Sequence, residues 1–137
     1  GEDKNTIDKM YLFGETVGMA FQIKDDLFDY TESKLIGKPT GIDIRERKMT
    51  LPLIYTLNNS DKKTRSFIID VIKNHNKNEN KISRLINLVK VSGGVKYAEK
   101  RMNEFHSKSI ELIANFKDNE AKSSLLSLLN FVISRKK

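Results

Sequence analysis

The sequence predicts an all-α chain. Two prolines and seven glycines are all that punctuate 137 residues. Apolar residues recur at helical rather than alternating spacing, and the length suits one domain with one core. No internal repeat and no second domain is visible, so residues 1–137 are read as a single helical domain.

The first helix is expected over residues 5–30. It is apolar on nearly every side, with Leu12, Met19, Ala20, Ile23 and Leu27 on one face and Phe13, Val17, Phe21 and Phe28 on another. Such a helix belongs in the centre of a fold. A narrow polar stripe, Gly18, Gln22, Asp25 and Asp29, runs along it at helical steps. Residues 31–48 read as a loop, punctuated by Gly37, Pro39 and Gly41. Pro52 stands where a helix start tolerates it, and a helix over 50–59 follows. Ser60 or Asp61 caps the next helix, which runs to Asn74. The polar stretch 73–81 is a surface connection. A helix over 81–92 is stopped by Gly93-Gly94. A long amphipathic helix over 95–116 and a last helix over 119–134 complete the chain, with Tyr97, Met102, Phe105, Ile110, Leu112 and Ile113 as core or interface.

Composition narrows the function. With no cysteine there is no disulfide framework and no thiolate nucleophile or metal site, which suits a cytoplasmic protein. No apolar run approaches the ~20 residues of a membrane helix, and the N-terminus lacks a signal-peptide pattern. The chain opens Gly1-Glu2-Asp3 rather than with Met, as a processed chain or a piece of a longer one would. Its net charge of +7 comes from 25 Lys and Arg against 18 Asp and Glu. The basic residues are spread, apart from Arg135-Lys136-Lys137, with no basic stripe interleaved with aromatics, so nucleic acid is not the expected partner. His75 and His106 stand apart without metal-ligand spacing. Gly93-Gly94 lacks the Lys-Ser/Thr of a phosphate loop.

The stretch FQIKDDLFDY, residues 21–30, crowds Asp25, Asp26 and Asp29 into an otherwise apolar helix. One helical turn separates Asp25 from Asp29, about 6 Å along the axis. Like charges at that spacing disfavour a helix, and more so in apolar surroundings. A divalent cation removes the conflict. Magnesium suits such a ligand set, because it prefers oxygen and is often held by one or two carboxylates plus substrate phosphates. The bland alternative is an exposed acidic face. The apolar character of the rest of the helix, and the continuation of the stripe through Gly18 and Gln22, favour the cation site. The adjoining segment supplies opposite charge in Lys38 and Lys48, compact cations suited to phosphate oxygens. Asp43, between them, is suited to orient metal-bound water or hold a lysine. Arg45 and Arg47 are assigned to the solvated surface.

GMAFQIKDDLFDY followed by GKPTGIDIRERKMTLPLIY closely resembles the trans-isoprenyl diphosphate synthases, or polyprenyl synthetases. The first phrase resembles their second aspartate-rich motif, DDxxD, at Asp25, Asp26 and Asp29. The second resembles the G-K-x-x-G-x-D…K-x-T-x-P segment, at Gly37, Lys38, Gly41, Asp43, Lys48, Thr50 and Pro52. The resemblance covers this whole chain but only the C-terminal part of the family's catalytic domain. It implies an antiparallel helix bundle of the isoprenoid synthase type, and a transferase joining an allylic diphosphate to isopentenyl diphosphate head to tail, with magnesium as cofactor. By the same match Asp25 is a metal ligand, with Asp26 and Asp29 ligating or acting through water. Lys38 and Lys48 are the catalytic cations holding the allylic diphosphate, and Phe21 and Gln22 line the reacting centre. The family's dimeric habit implies a homo-oligomer.

The family's first aspartate-rich motif and the residues that bind isopentenyl diphosphate have no counterpart here. The expectation is therefore a fragment, or a truncated or split gene product, inactive alone. The alternative is a non-catalytic helical interaction module that pairs with a partner carrying the missing half.

Overall fold

The computed structural model describes residues 3–31 and 41–135. Seven helices follow in order among them: α1 (Lys4–Phe28), α2 (Ile42–Arg45), α3 (Leu51–Asn58), α4 (Lys62–Asn74), α5 (Glu79–Val91), α6 (Gly94–Ile113) and α7 (Glu120–Ser134). The chain divides into two compact units, one of residues 25–99 and one of residues 1–24 with 100–137.

In the unit of residues 25–99, α3, α4 and α5 pack on one another. Helix α5 buries Ile82, Leu85, Ile86 and Val89, the i, i+3, i+4, i+7 pattern of one helical face. Ile68 and Val71 of α4, Leu53 of α3, Tyr30 and Ile44 join them in one core. Capping sets the helix starts. The Asp61 carboxylate accepts from the Thr64 amide at 2.7 Å, and the Asn78 side chain accepts from the Lys81 amide at 3.1 Å, each contributing about 1 kcal/mol. Asn78 starts α5 two residues earlier than the polar composition suggested. Gly93 stops the preceding helix with φ +92°, as expected of a helix-ending glycine. Gly94 serves packing instead. A Cβ there would lie 2.5 Å from the Pro52 carbonyl oxygen and 2.6 Å from Thr56 Oγ1, so α6 begins in close contact with α3.

The unit of residues 1–24 and 100–137 has a smaller core of Phe13, Ile113 and Leu129, with Val17, Leu112, Phe116, Leu125 and Leu126 against it. Helix α6 ends at Ile113, three residues short of expectation. The Lys122 ammonium closes that end, donating to the carbonyls of Ala114 (3.0 Å) and Phe116 (3.1 Å) and to Asp118 (2.9 Å).

Two expectations for α1 change. Its buried stripe is Phe13, Thr16, Ala20, Ile23 and Leu27, so Phe13 belongs with Ala20. Phe21, eight residues on, has turned away and is 43% exposed, because eight residues are not a whole number of turns. Leu12 and Met19 are exposed as well. The helix also ends at Phe28 rather than residue 30. The amides of Asp29 and Tyr30 donate three residues back, to the Asp26 and Leu27 carbonyls, the tightened turn common at helix ends. Asp29 therefore stands just past the last helical residue.

Candidate functional site

Asp25 and Asp26 occupy the last turn of α1, where the helix dipole already places negative charge. Half-buried carboxylates there are locally unfavourable, and the neighbouring helix starts offset part of that. The backbone N–H of Leu51, first residue of α3, donates to Asp26 Oδ2 at 3.4 Å. The N–H of Asp43 in α2 donates to Asp29 Oδ1 at 3.1 Å, and that of Gly41 to the Asp29 carbonyl at 3.2 Å. The segment expected to be a loop thus holds a helical turn. It sits on the end of α1, its Ile44 is buried in the core, and its Gly41 (φ +81°) lies so near α5 that a Cβ would come within 2.7 Å of Ile82 Cγ2.

This packing brings Asp43 to the aspartate stripe. Asp29 is 6% exposed. Burial raises its pKa, opposed by the backbone N–H groups of Asp43, Ile42, Ile44 and Gly41. Its Oδ2 is buried without a hydrogen-bond donor among the described residues. The Asp43 carboxyl is pushed up to about 6, by burial first and then by the charge of Asp29; Lys48 opposes this, while Asp26 and Asp25 add to it. Burial also pushes the Tyr30 phenol up, and Asp29, Asp43 and Asp26 push it further, so it stays neutral. The Lys48 amide donates to the Asp43 carbonyl at 2.8 Å. Its exposed ammonium pairs with Glu46 at 3.0 Å. Its pKa is raised chiefly by Glu46, with Asp43 and Asp25 contributing.

The structure therefore brings together Asp25, Asp26, Asp29, Asp43 and Lys48. Gln22 is exposed on α1. The Phe21 ring lies under the Arg135 guanidinium, 3.9 Å from it, and the Phe21 carbonyl accepts from Arg135 Nη2 at 3.4 Å. Lys38, with Gly37 and Pro39, lies outside the described residues. Among the described residues no group of three or more Asp, Glu or His is arranged to hold a metal by itself.

Sequence reasoning passed over Arg47 and Asn76. Arg47, assigned to the solvated surface, is exposed, yet it also donates to the carbonyls of Ile72 (3.2 Å) and Lys73 (3.3 Å) and to Asn76 Oδ1 (3.3 Å). Asn76 is 8% exposed and donates Nδ2 to the Arg45 carbonyl at 2.7 Å. In a stretch as uniformly polar as KNHNKNENK nothing marks which asparagine is buried.

The end of α1 is thus an acidic helix end that receives the backbone amides of two further helix starts. The chain belongs to the polyprenyl synthetase family, whose profile matches residues 1–89. It is 33% identical over 138 residues to a probable mitochondrial hexaprenyl pyrophosphate synthase of Neurospora crassa, covering 100% of this chain and 30% of that protein. Among solved structures it is similar to a geranylgeranyl pyrophosphate synthase of Bacteroides thetaiotaomicron (TM-score 0.87, 36% identity, 98% of this chain and 44% of that one). A polyprenyl synthase of Caulobacter crescentus, solved with calcium and isoprenyl diphosphate, matches with TM-score 0.84 and 28% identity over 100% of this chain and 42% of that one. The chain thus spans less than half the length of these relatives.

Proposed function

We propose that this chain supplies the diphosphate-holding part of a trans-prenyltransferase, which condenses an allylic diphosphate head to tail with isopentenyl diphosphate. The observation that carries the reading is the backbone bond of Asp43 to the Asp29 carboxylate, with the Lys48 amide bonded in turn to the Asp43 carbonyl, in a chain of the polyprenyl synthetase family. Asp25 is the proposed metal ligand. Asp26 and Asp29 each also hold a helix start and complete the negative patch. Lys48, with Lys38, neutralises the diphosphate oxygens, and Asp43 orients water or a lysine beside them. Phe21 and Gln22 line the reacting centre.

The residues present fit magnesium. The buried Asp29 Oδ2 lacks a donor among the described residues, and the charges of Asp29, Asp26 and Asp25 raise the proton affinity of Asp43, a crowding of like charge that a divalent cation relieves. Few protein ligands suffice for an ion that keeps waters and takes phosphate oxygens. When bound, magnesium supplies a Lewis acid that stabilises charge on the departing diphosphate. The protein's share is to hold that diphosphate by fixed charges, an electrostatic arrangement made before the reaction.

Homo-oligomer formation and a cytoplasmic location belong to the same proposal. No helix among the described residues is long and apolar enough to cross a membrane. Turnover of labelled isopentenyl diphosphate tests the reading. The expected result is none from the 137-residue chain alone, and turnover on adding a polypeptide that carries a first aspartate-rich motif and an isopentenyl diphosphate site. A mixture that associates without turnover would favour the non-catalytic interaction module.

A further inference from the structure

Arg47 is the one non-glycine among the described residues with positive φ, 59°, a conformation that side chains with a Cβ avoid. Such a residue persists only where its surroundings over-determine it. Here they do. The guanidinium forks across the end of α4, taking the Ile72 and Lys73 carbonyls that the helix leaves without partners. Its charge also sits at the negative end of that helix. The same guanidinium holds Asn76 Oδ1, and Asn76 returns its own N–H to the Arg45 carbonyl. Arg47 and Asn76 therefore lock each other and the exit of α2. That left-handed residue turns the chain so that the amide of the next residue, Lys48, reaches back to the Asp43 carbonyl at 2.8 Å. The two site residues of this segment are thus joined through the turn that Arg47 fixes.

We propose that Arg47 and Asn76 form a latch that positions Lys48 and Asp43 for a bound diphosphate, with Arg47 acting through Lys48 rather than touching phosphate. The inference rests on the diphosphate reading above and adds a positioning pair to it. An ammonium lacks the planar fork that spans two carbonyls and an amide oxygen, so lysine does not replace Arg47.

The test uses the 137-residue chain and its Arg47→Gly, Arg47→Lys, Lys48→Ala and Arg47→Gly/Lys48→Ala variants. Glycine tolerates the positive φ while removing the guanidinium and its three bonds. Affinity for inorganic pyrophosphate with magnesium is titrated, exchange of the Lys48 amide is followed, and melting temperatures are recorded. Arg47→Gly is expected to weaken pyrophosphate binding roughly three- to tenfold, but by less than about twofold once Lys48 is gone. Exchange of the Lys48 amide speeds up, and Arg47→Lys behaves like Arg47→Gly. Equal losses with and without Lys48 would place the guanidinium on the phosphate and overturn the proposal. So would rescue by lysine, or a lower melting temperature with unchanged affinity. If the unaltered chain binds no magnesium pyrophosphate, the diphosphate reading fails by itself. The exchange arm then decides the latch: faster Lys48 exchange in Arg47→Gly upholds it, and unchanged exchange overturns it.

Discussion

Asp43 shows at the scale of one residue how the site sets itself against stability. Its pKa rises from 3.8 to about 6 through burial and the charge of Asp29. The folded chain therefore keeps a proton over a window in which the unfolded chain has released it. Stability falls as pH rises through that window and stays lower above it. Asp43→Asn should raise the melting temperature above the window and leave it nearly unchanged below, which thermal melts on either side of it would check. The aspartates of α1 make a second case. Replacing Asp25 and Asp29 together by alanine should lower magnesium-dependent pyrophosphate affinity by at least about tenfold, with helix content retained by circular dichroism. Metal-dependent binding that survives the double substitution would make the stripe a solvated helix face. The acidic spacing was legible in the sequence. The burial of Asp29, and its bond to the Asp43 amide, depend on a residue fourteen positions away, which no local pattern specifies.

Among the elements, helix periodicity and capping residues were legible because they are local. Asp61, Pro52 and Gly93 stand at or near helix ends, where their backbone chemistry places them. Helix α2 was not legible, since four residues between glycines and prolines give no periodicity to read. It forms because Ile44 is drawn into the core and the Asp29 carboxylate meets its first amides. Gly94 was read as part of a stop, yet it is the contact of α6 with α3. Gly94→Ala should destabilise the chain by about 1–3 kcal/mol, because the obstacle includes a backbone carbonyl that cannot swing aside. A urea melt would show a lower midpoint with an unchanged slope. A midpoint equal to that of the unaltered chain would mean that α6 shifts away from α3 without loss.

For the whole molecule, the question is how exposed apolar side chains are covered. Tyr11 is 73% exposed, Ile7 56%, Phe131 62% and Leu128 47%, apolar side chains that a second copy would cover. Self-association is the expected outcome, measured by sedimentation as species heavier than 15.8 kDa. Tyr11→Asp with Phe131→Asp should shift the distribution toward monomer, and a wild-type chain monomeric at high concentration would refute it. Sequence by itself determined the all-α class, the run of the longer helices and the acidic and basic motifs, because hydrophobic period, capping and charge spacing are written within a few residues. Tertiary structure alone decided that Phe13 is buried while Phe21 is not, that Asp29 receives α2, and that Arg47 and Asn76 lock the turn beside Lys48. The first depends on which side of α1 meets other helices, the others on which distant backbone groups lack partners, and both are settled only when the helices pack.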